Sequence, residues 1–283
     1  MNRAIRLFGA GLAIGQLALS PFVIAAEPDA ALSANAADED ADRDKKRAEA
    51  RAEDLKEVLA ELKRSSDFLA AQKSFRFDGH IGFDVVQANG QKLEFGGSRK
   101  ITVGRPDRLR VESQARDGTE KTMTFDGEAI SIDLADENAY VSVPKPGTLD
   151  AAIDYLVDDL GVPAPLADLI YSDFYSGVAD RIESGFIVGE STIGKCDCLH
   201  LAFSTEDIDA QMWVEDGDRP LPYRVVITYK KAEGSPQFWA QFLNWDLSVE
   251  APDSLFEYSP PEGAELIPIS VAVREAQEAR EGE

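Results

Sequence analysis

The chain has 283 residues, with 52 acidic against 29 basic side chains, a formal charge of −23, two histidines and two cysteines. Phosphate-rich partners need clustered Lys and Arg, so nucleic acid and anionic lipid surfaces are excluded as electrostatic targets. Cys196 and Cys198 are separated by one residue, so a bridge between them closes only a very small ring, and the fold is not built on disulfides.

Residues 1–26 read as a cleaved secretory signal. Arg3 and Arg6 form a basic start, Leu7 to Leu19 an apolar run, and Val23-Ile24-Ala25-Ala26 follow Pro21 as a small-residue exit. The run is shorter than the roughly 20 residues that span a bilayer. No cysteine lies beside it for lipid attachment, and no later segment suits a transmembrane span. Losing both arginines takes the formal charge to −25. The mature chain is therefore expected to be soluble and exported. Segment 27–50 is Ala-rich, charged and poor in large apolar residues, and is expected to be a disordered linker that becomes helical near its end. The folded domain is expected over 51–270, with a flexible tail at 271–283.

From Leu55 the apolar residues Val58, Leu59, Leu62 and Leu69 recur at helical spacing, which predicts an amphipathic helix. The period then changes to two: Phe75, Phe77, Ile81, Phe83 and Val85 alternate with Arg76, Asp78, His80 and Asp84. Asn89-Gly90 is a hairpin turn signal. Strands are predicted at Leu93–Val103, Arg108–Ser113, Thr119–Phe125, Ala129–Leu134 and Tyr140–Val143. Pro144 to Asp173 interrupts the meander. Thr148 caps a predicted helix over Leu149–Leu160, Gly161 stops it, and Pro163 and Pro165 open a second over Leu166–Tyr171. Ile153, Leu156 and Leu160 on the first helix, and Leu166 and Ile170 on the second, are the candidate ligand-facing residues. Five further strands are predicted: Ala179–Glu190, Lys195–Phe203, Ala210–Glu215, Leu221–Lys231 and Gln237–Val249. The Pro-rich end then tucks onto the sheet. About eleven antiparallel strands curl rather than lie flat. The fold class is α+β: a strongly curved antiparallel half-barrel with an N-terminal helix and a central helical lid.

Chemical motifs are sparse. Gly189 to Lys195 has the spacing of a phosphate-binding loop, but Cys196 replaces the required Ser or Thr and a strand pattern follows, so a hairpin turn is expected. Cys196, Cys198 and His200 share one strand face and form a metal candidate lacking a fourth ligand; two partly buried thiols beside a histidine are the expected arrangement. With only His80 and His200, and no Gly-x-Ser-x-Gly, neither enzymatic activity nor a cofactor is expected. Trp213, Trp239 and Trp245, with Phe238 and Phe242, are expected on the inner face of the sheet.

FGGSRKITVGRPDRLRVES, TFDGEAISI, PKPGTLDAAIDYL, PLADLIYSD, LHLAFSTEDIDAQMWVEDGDRPLPYRVVITYK, SPQFWAQFLNWDLS and FEYSPPEGA follow one another in that order. Taken together they resemble an uncharacterised family of predicted periplasmic proteins and, more distantly, the lipoprotein carrier LolA and its relatives. The resemblance spans roughly Leu55 to Ile267. It implies a half-open barrel closed by helices, with an apolar cavity for acyl chains. No LolA docking or ligand residue matches a numbered position here, so none is carried over. The expected function is non-catalytic binding of a lipid or lipoprotein acyl chain in a groove. The alternative is an interaction module of the same fold, with a filled core and an envelope membrane protein as partner. A packed core and a ligand cavity use the same residues, so spacing does not separate the two.

Overall fold

A computed structural model describes residues 30–162 and 166–270. The signal segment, the tail at 271–283, and Pro163 and Pro165 lie outside the described residues.

Helix α1 runs from Ala30 to Ala70. Residues 30–50, expected to be linker, therefore belong to a helix. Alanine is the strongest helix former, and ion pairs at helical spacing, such as Asp42 with Lys46 at 2.8 Å and Glu53 with Lys56 at 2.9 Å, add local support. Residues 42–54 are exposed, and packing begins only where Val58, Leu62 and Leu69 meet the core.

Among the described residues all strands belong to one sheet. They are β1 (Ser74–Val86), β2 (Lys92–Gly104), β3 (Arg108–Ala115), β4 (Glu120–Phe125), β5 (Ala129–Leu134) and β6 (Ala139–Pro144), then β7 (Ser184–Ile193), β8 (Cys196–Ser204), β9 (Ile208–Glu215), β10 (Pro222–Tyr229), β11 (Gln237–Asp246) and β12 (Glu265–Leu266). Their order is β12-β6-β5-β4-β3-β2-β1-β11-β10-β9-β8-β7, and every neighbouring pair is antiparallel except β12 with β6. The first strand and the last long one meet in the middle, which joins two meanders into one surface. The twelfth strand is the Pro-rich end, adding two residues to the β6 edge. Residues Ala179–Arg181, expected to begin a strand, form a turn of 3₁₀ helix instead, and β7 begins at Ser184.

Strand alternation sends one set of side chains to a concave face. Phe75, Phe77, Ile101, Val103, Leu109, Phe125 and Ile130 line it on one side. Leu201, Met212, Ile227, Ala240 and Phe242 continue it on the other. At about 25 cal/mol per Å² of buried apolar area, this surface is the main source of stability. Curvature requires close backbone approach at the centre of the sheet. A Cβ on Gly96 would lie 2.1 Å from the Ile81 carbonyl oxygen, and one on Gly82 would lie 2.5 Å from the Trp239 ring. Only glycine permits both contacts.

The insert follows β6. Thr148 Oγ1 accepts a hydrogen bond from the Ala151 N–H at 3.3 Å and caps α2 (Leu149–Asp154), which continues as one π-helical turn over Tyr155–Asp159. Gly161 ends it in the left-handed region at φ +66°. The expected second helix over Leu166–Tyr171 is only a 3₁₀ turn at Ala167–Leu169, followed by α3 (Phe174–Val178).

Candidate ligand-binding site

The concave face, the insert and α1 border a partly open apolar cavity of about 90 Å³. Its floor is sheet: Phe203, Ala210, Met212, Val225, Ile227 and Phe242. Its roof is Leu166, Leu169, Phe174, Val178 and Ile182, and Leu62 of α1 forms one wall. Polar groups enter only at the margin. The Thr205 hydroxyl is turned away, accepting hydrogen bonds from the Asp207 and Ile208 N–H groups at 3.2 Å. Arg181 reaches Asp207 at 3.6 Å. Burial pushes the Asp168 carboxyl up to about 7, with the positive charge of Arg181 pulling the other way.

The roof is fastened by side chains rather than by strand pairing. Asp150 accepts from both the N–H and the hydroxyl of Ser172. Tyr171 donates its hydroxyl to Asp154 Oδ1 at 2.9 Å, and burial together with this bond raises its pKa. Arg105 donates to the Tyr171 carbonyl at 3.1 Å and lies over the Phe75 ring, its centre 5.6 Å from the ring centroid. The Tyr175 N–H donates to Ser66 Oγ at 3.1 Å, which ties the insert to α1. Beneath this fastening the core is densely aromatic: Phe77 packs on Trp245 with centroids 4.4 Å apart and edge-on against Phe242 at 5.6 Å.

Of the candidate lid residues, Leu166 lines the cavity. Ile153, Leu156 and Ile170 are buried in the same continuous core, away from the cavity wall, and Leu160 is half-buried against it. The sheet residues of the floor went unassigned in the sequence because their alternation marks an inner face without showing which part of it stays unfilled.

Three readings are corrected. Cys196 and Cys198 form a disulfide, so their sulfurs are neither free thiols nor metal ligands. His200 stacks on Trp213 at 4.1 Å and shares a hydrogen bond with Gln211 Oε1 at 3.1 Å, so the metal candidate dissolves into packing. Trp213 and Trp239 lie on the outer face, because they alternate with the inward Met212, Val214, Phe238 and Ala240. Trp239 donates to Glu94 Oε2 at 3.0 Å beneath the Arg224 guanidinium. The phosphate-loop spacing at 189–195 falls on the end of β7 and its turn, where Gly194 has φ +62°. Among the described residues no helix is long and apolar enough to cross a membrane.

Residues 60–270 match the family described as predicted periplasmic protein (DUF2092), and the chain belongs to that family, which places it in the periplasm. No curated protein matches it. Solved structures similar to it include the lipoprotein LppX from Mycobacterium tuberculosis, at 14% identity and TM-score 0.43, with 68% of this chain and 97% of that one covered. A LolA superfamily protein from Nitrosomonas europaea is similar at 12% identity and TM-score 0.33, covering 70% and 96%. The MucA/MucB complex of Pseudomonas aeruginosa is similar at 15% identity and TM-score 0.40, covering 72% and 61%.

Proposed function

We propose that this periplasmic family member is a non-catalytic binding protein that holds the hydrocarbon of a lipid or lipoprotein acyl chain between the concave sheet and the insert. One observation carries the reading: the cavity is walled almost wholly by hydrocarbon, at the seam between a rigid sheet and a roof fastened by side-chain hydrogen bonds. Ligand pockets usually reach about 300 Å³ or more. At about 90 Å³ the cavity holds only part of a chain, so binding a whole one requires the insert to lift from the sheet. Native mass spectrometry and lipid extraction of the protein purified from its own periplasm test this. A co-purifying acyl lipid supports it; lipid-free protein that takes up no added amphiphile overturns it. Leu156 pins the insert to the core, so a folded Leu156→Asp variant should lose lipid capture, and unchanged binding would remove the lid role.

A second reading, an interaction module with a filled core, is favoured by the edge strand β7. Phe186 and Val188 on it are 52% and 50% exposed. Edge strands with apolar, sparsely charged faces are ready templates for pairing. If no lipid is found, loss of an envelope partner on Phe186→Ser/Val188→Ser substitution would establish this reading instead.

A further inference from the structure

Arg99 stands on the concave face of β2, with its Cα opposite Gly79 of β1 and Ser113 of β3. Other arginines of the sheet and insert reach carboxylates: Arg76 to Asp246, Arg108 to Asp107, Arg110 to Glu112, Arg116 to Glu94 and Arg181 to Asp207. Arg99, in a chain carrying 52 acids, has no ion pair among the described residues. Among the described residues its guanidinium makes one hydrogen bond, from Nη1 to the carbonyl of the adjacent Ser98 at 2.9 Å. A guanidinium has five N–H donors in a planar fork that matches a carboxylate or phosphate. Removing it from water without a counter-charge is costly, and burial accordingly lowers its pKa.

The residues directly opposite Arg99 are small. Its two cross-strand neighbours are a glycine and a serine, so neither position directly opposite carries a bulky side chain. A Cβ on Gly79 would lie 3.9 Å from the Arg99 Cβ and 3.7 Å from Leu166 Cδ1. Leu166 is itself a wall of the apolar cavity, so the Arg99 side chain starts close to a residue that borders the hydrocarbon chamber. Farther along the same face, Phe83 and Phe95 stack at 6.2 Å and are only half-buried, which continues an apolar track past the arginine. Arg105, three inward positions along the same strand line, differs: it is already engaged by the Tyr171 carbonyl and Phe75.

We propose that Arg99 anchors the anionic head of an amphiphile, carboxylate or phosphate, whose hydrocarbon lies along the concave face toward the chamber beyond Leu166. The proposal deepens the binding function above and rests on it. The overall charge of −23 repels anions at long range, so the head is held by local contact rather than by steering.

Dodecanoate, dodecyl phosphate and dodecanol share one tail and differ in the head. Their binding to the purified protein, to Arg99→Gln and to Arg99→Lys is measured by displacement of an apolar fluorescent probe, with circular dichroism and thermal melting as folding controls. Arg99→Gln should weaken the charged amphiphiles by tenfold or more and leave dodecanol within twofold. Arg99→Lys should recover part of that loss. Tighter binding of dodecanoate or of dodecyl phosphate identifies the head as carboxylate or phosphate. Equal binding of all three, unchanged by Arg99→Gln, overturns the anion site and leaves the apolar binding function standing. Failure of every amphiphile to bind overturns both.

Discussion

The carboxylate of Asp150, near the start of α2, accepts hydrogen bonds from the Ser172 backbone N–H at 3.0 Å and from its hydroxyl at 2.5 Å. Leu166 and Leu169 of the roof lie between these two residues, so one buried carboxylate ties the start of α2 to the segment that follows them. Hydrogen bonds to a charged acceptor are each worth about 1.5–3 kcal/mol net, more than neutral ones. Asp150 also faces Arg105, whose Nε has no hydrogen-bond partner, and its charge opposes the lowering of the Arg105 pKa by burial. Asp150→Ala should therefore cost roughly 2 kcal/mol or more in chemical unfolding. The same variant should admit an apolar fluorescent dye faster than the parent protein. Unaltered dye entry would mean that the Asp150–Ser172 bonds do not close the chamber.

Asp168 makes stability fall with pH. Its folded-state pKa of about 7 lies above the ordinary carboxylate value of 3.8, so the folded protein retains a proton that the unfolded chain releases. Its stabilising contribution is fully present below about pH 4, declines as pH rises and has gone above about pH 7, a change of at most about 4 kcal/mol. Asp168→Asn should flatten this part of the pH–stability curve and raise stability at neutral pH. Urea titrations at pH 5 and pH 8 check it, and an unchanged difference between the two would rule out Asp168 as the source.

Gly96 should tolerate no side chain. Its Cβ would strike the Ile81 backbone, which cannot move without unpairing β1 and β2. Gly96→Ala is expected to cost about 3 kcal/mol or more. Gly118 has φ +96° but open space around it, and the same substitution there should cost only about 1 kcal/mol from backbone strain. Thermal melting of the two variants side by side measures the contrast.

The N-terminal half of α1 should be dispensable for stability. Residues 42–54 are exposed and their ion pairs stay within the helix, so removing the segment up to residue 50 should leave the melting temperature within a degree or two. Leu62 packs in the core and lines the cavity, so Leu62→Ala should cost about 2–4 kcal/mol.

Much of the architecture was legible in the chain. The change from helical spacing at Leu55–Leu69 to alternation at Phe75 located the end of α1. Turn pairs such as Asn89-Gly90, whose glycine has φ +83°, placed the hairpins, because only certain residues accept left-handed backbone. Thr148 and Gly161 bounded the first insert helix as capping chemistry requires. The second insert helix was less legible: Ala167–Leu169 makes only a 3₁₀ turn, since its apolar residues are ordered by the cavity they roof rather than by helical hydrogen bonding. The faces of Trp213 and Trp239 were likewise hidden, because an aromatic residue in an alternating strand suits either face until the opposite strand is known.

Sequence by itself determined most of the elements, their order and the acidic balance of the chain, because those follow from composition, from local backbone preferences and from the spacing of apolar side chains. Tertiary structure alone decided three things. It joined β1 to β11 and so closed two meanders into one curved sheet. It paired Cys196 with Cys198. It left Arg99 on the concave face without an ion pair among the described residues. The first and the third depend on which residues meet across long stretches of chain; the disulfide joins cysteines only two positions apart, whose spacing does not say whether they are oxidised. Spacing along the chain carries no record of those meetings, since they are fixed by the burial of the whole concave face at once.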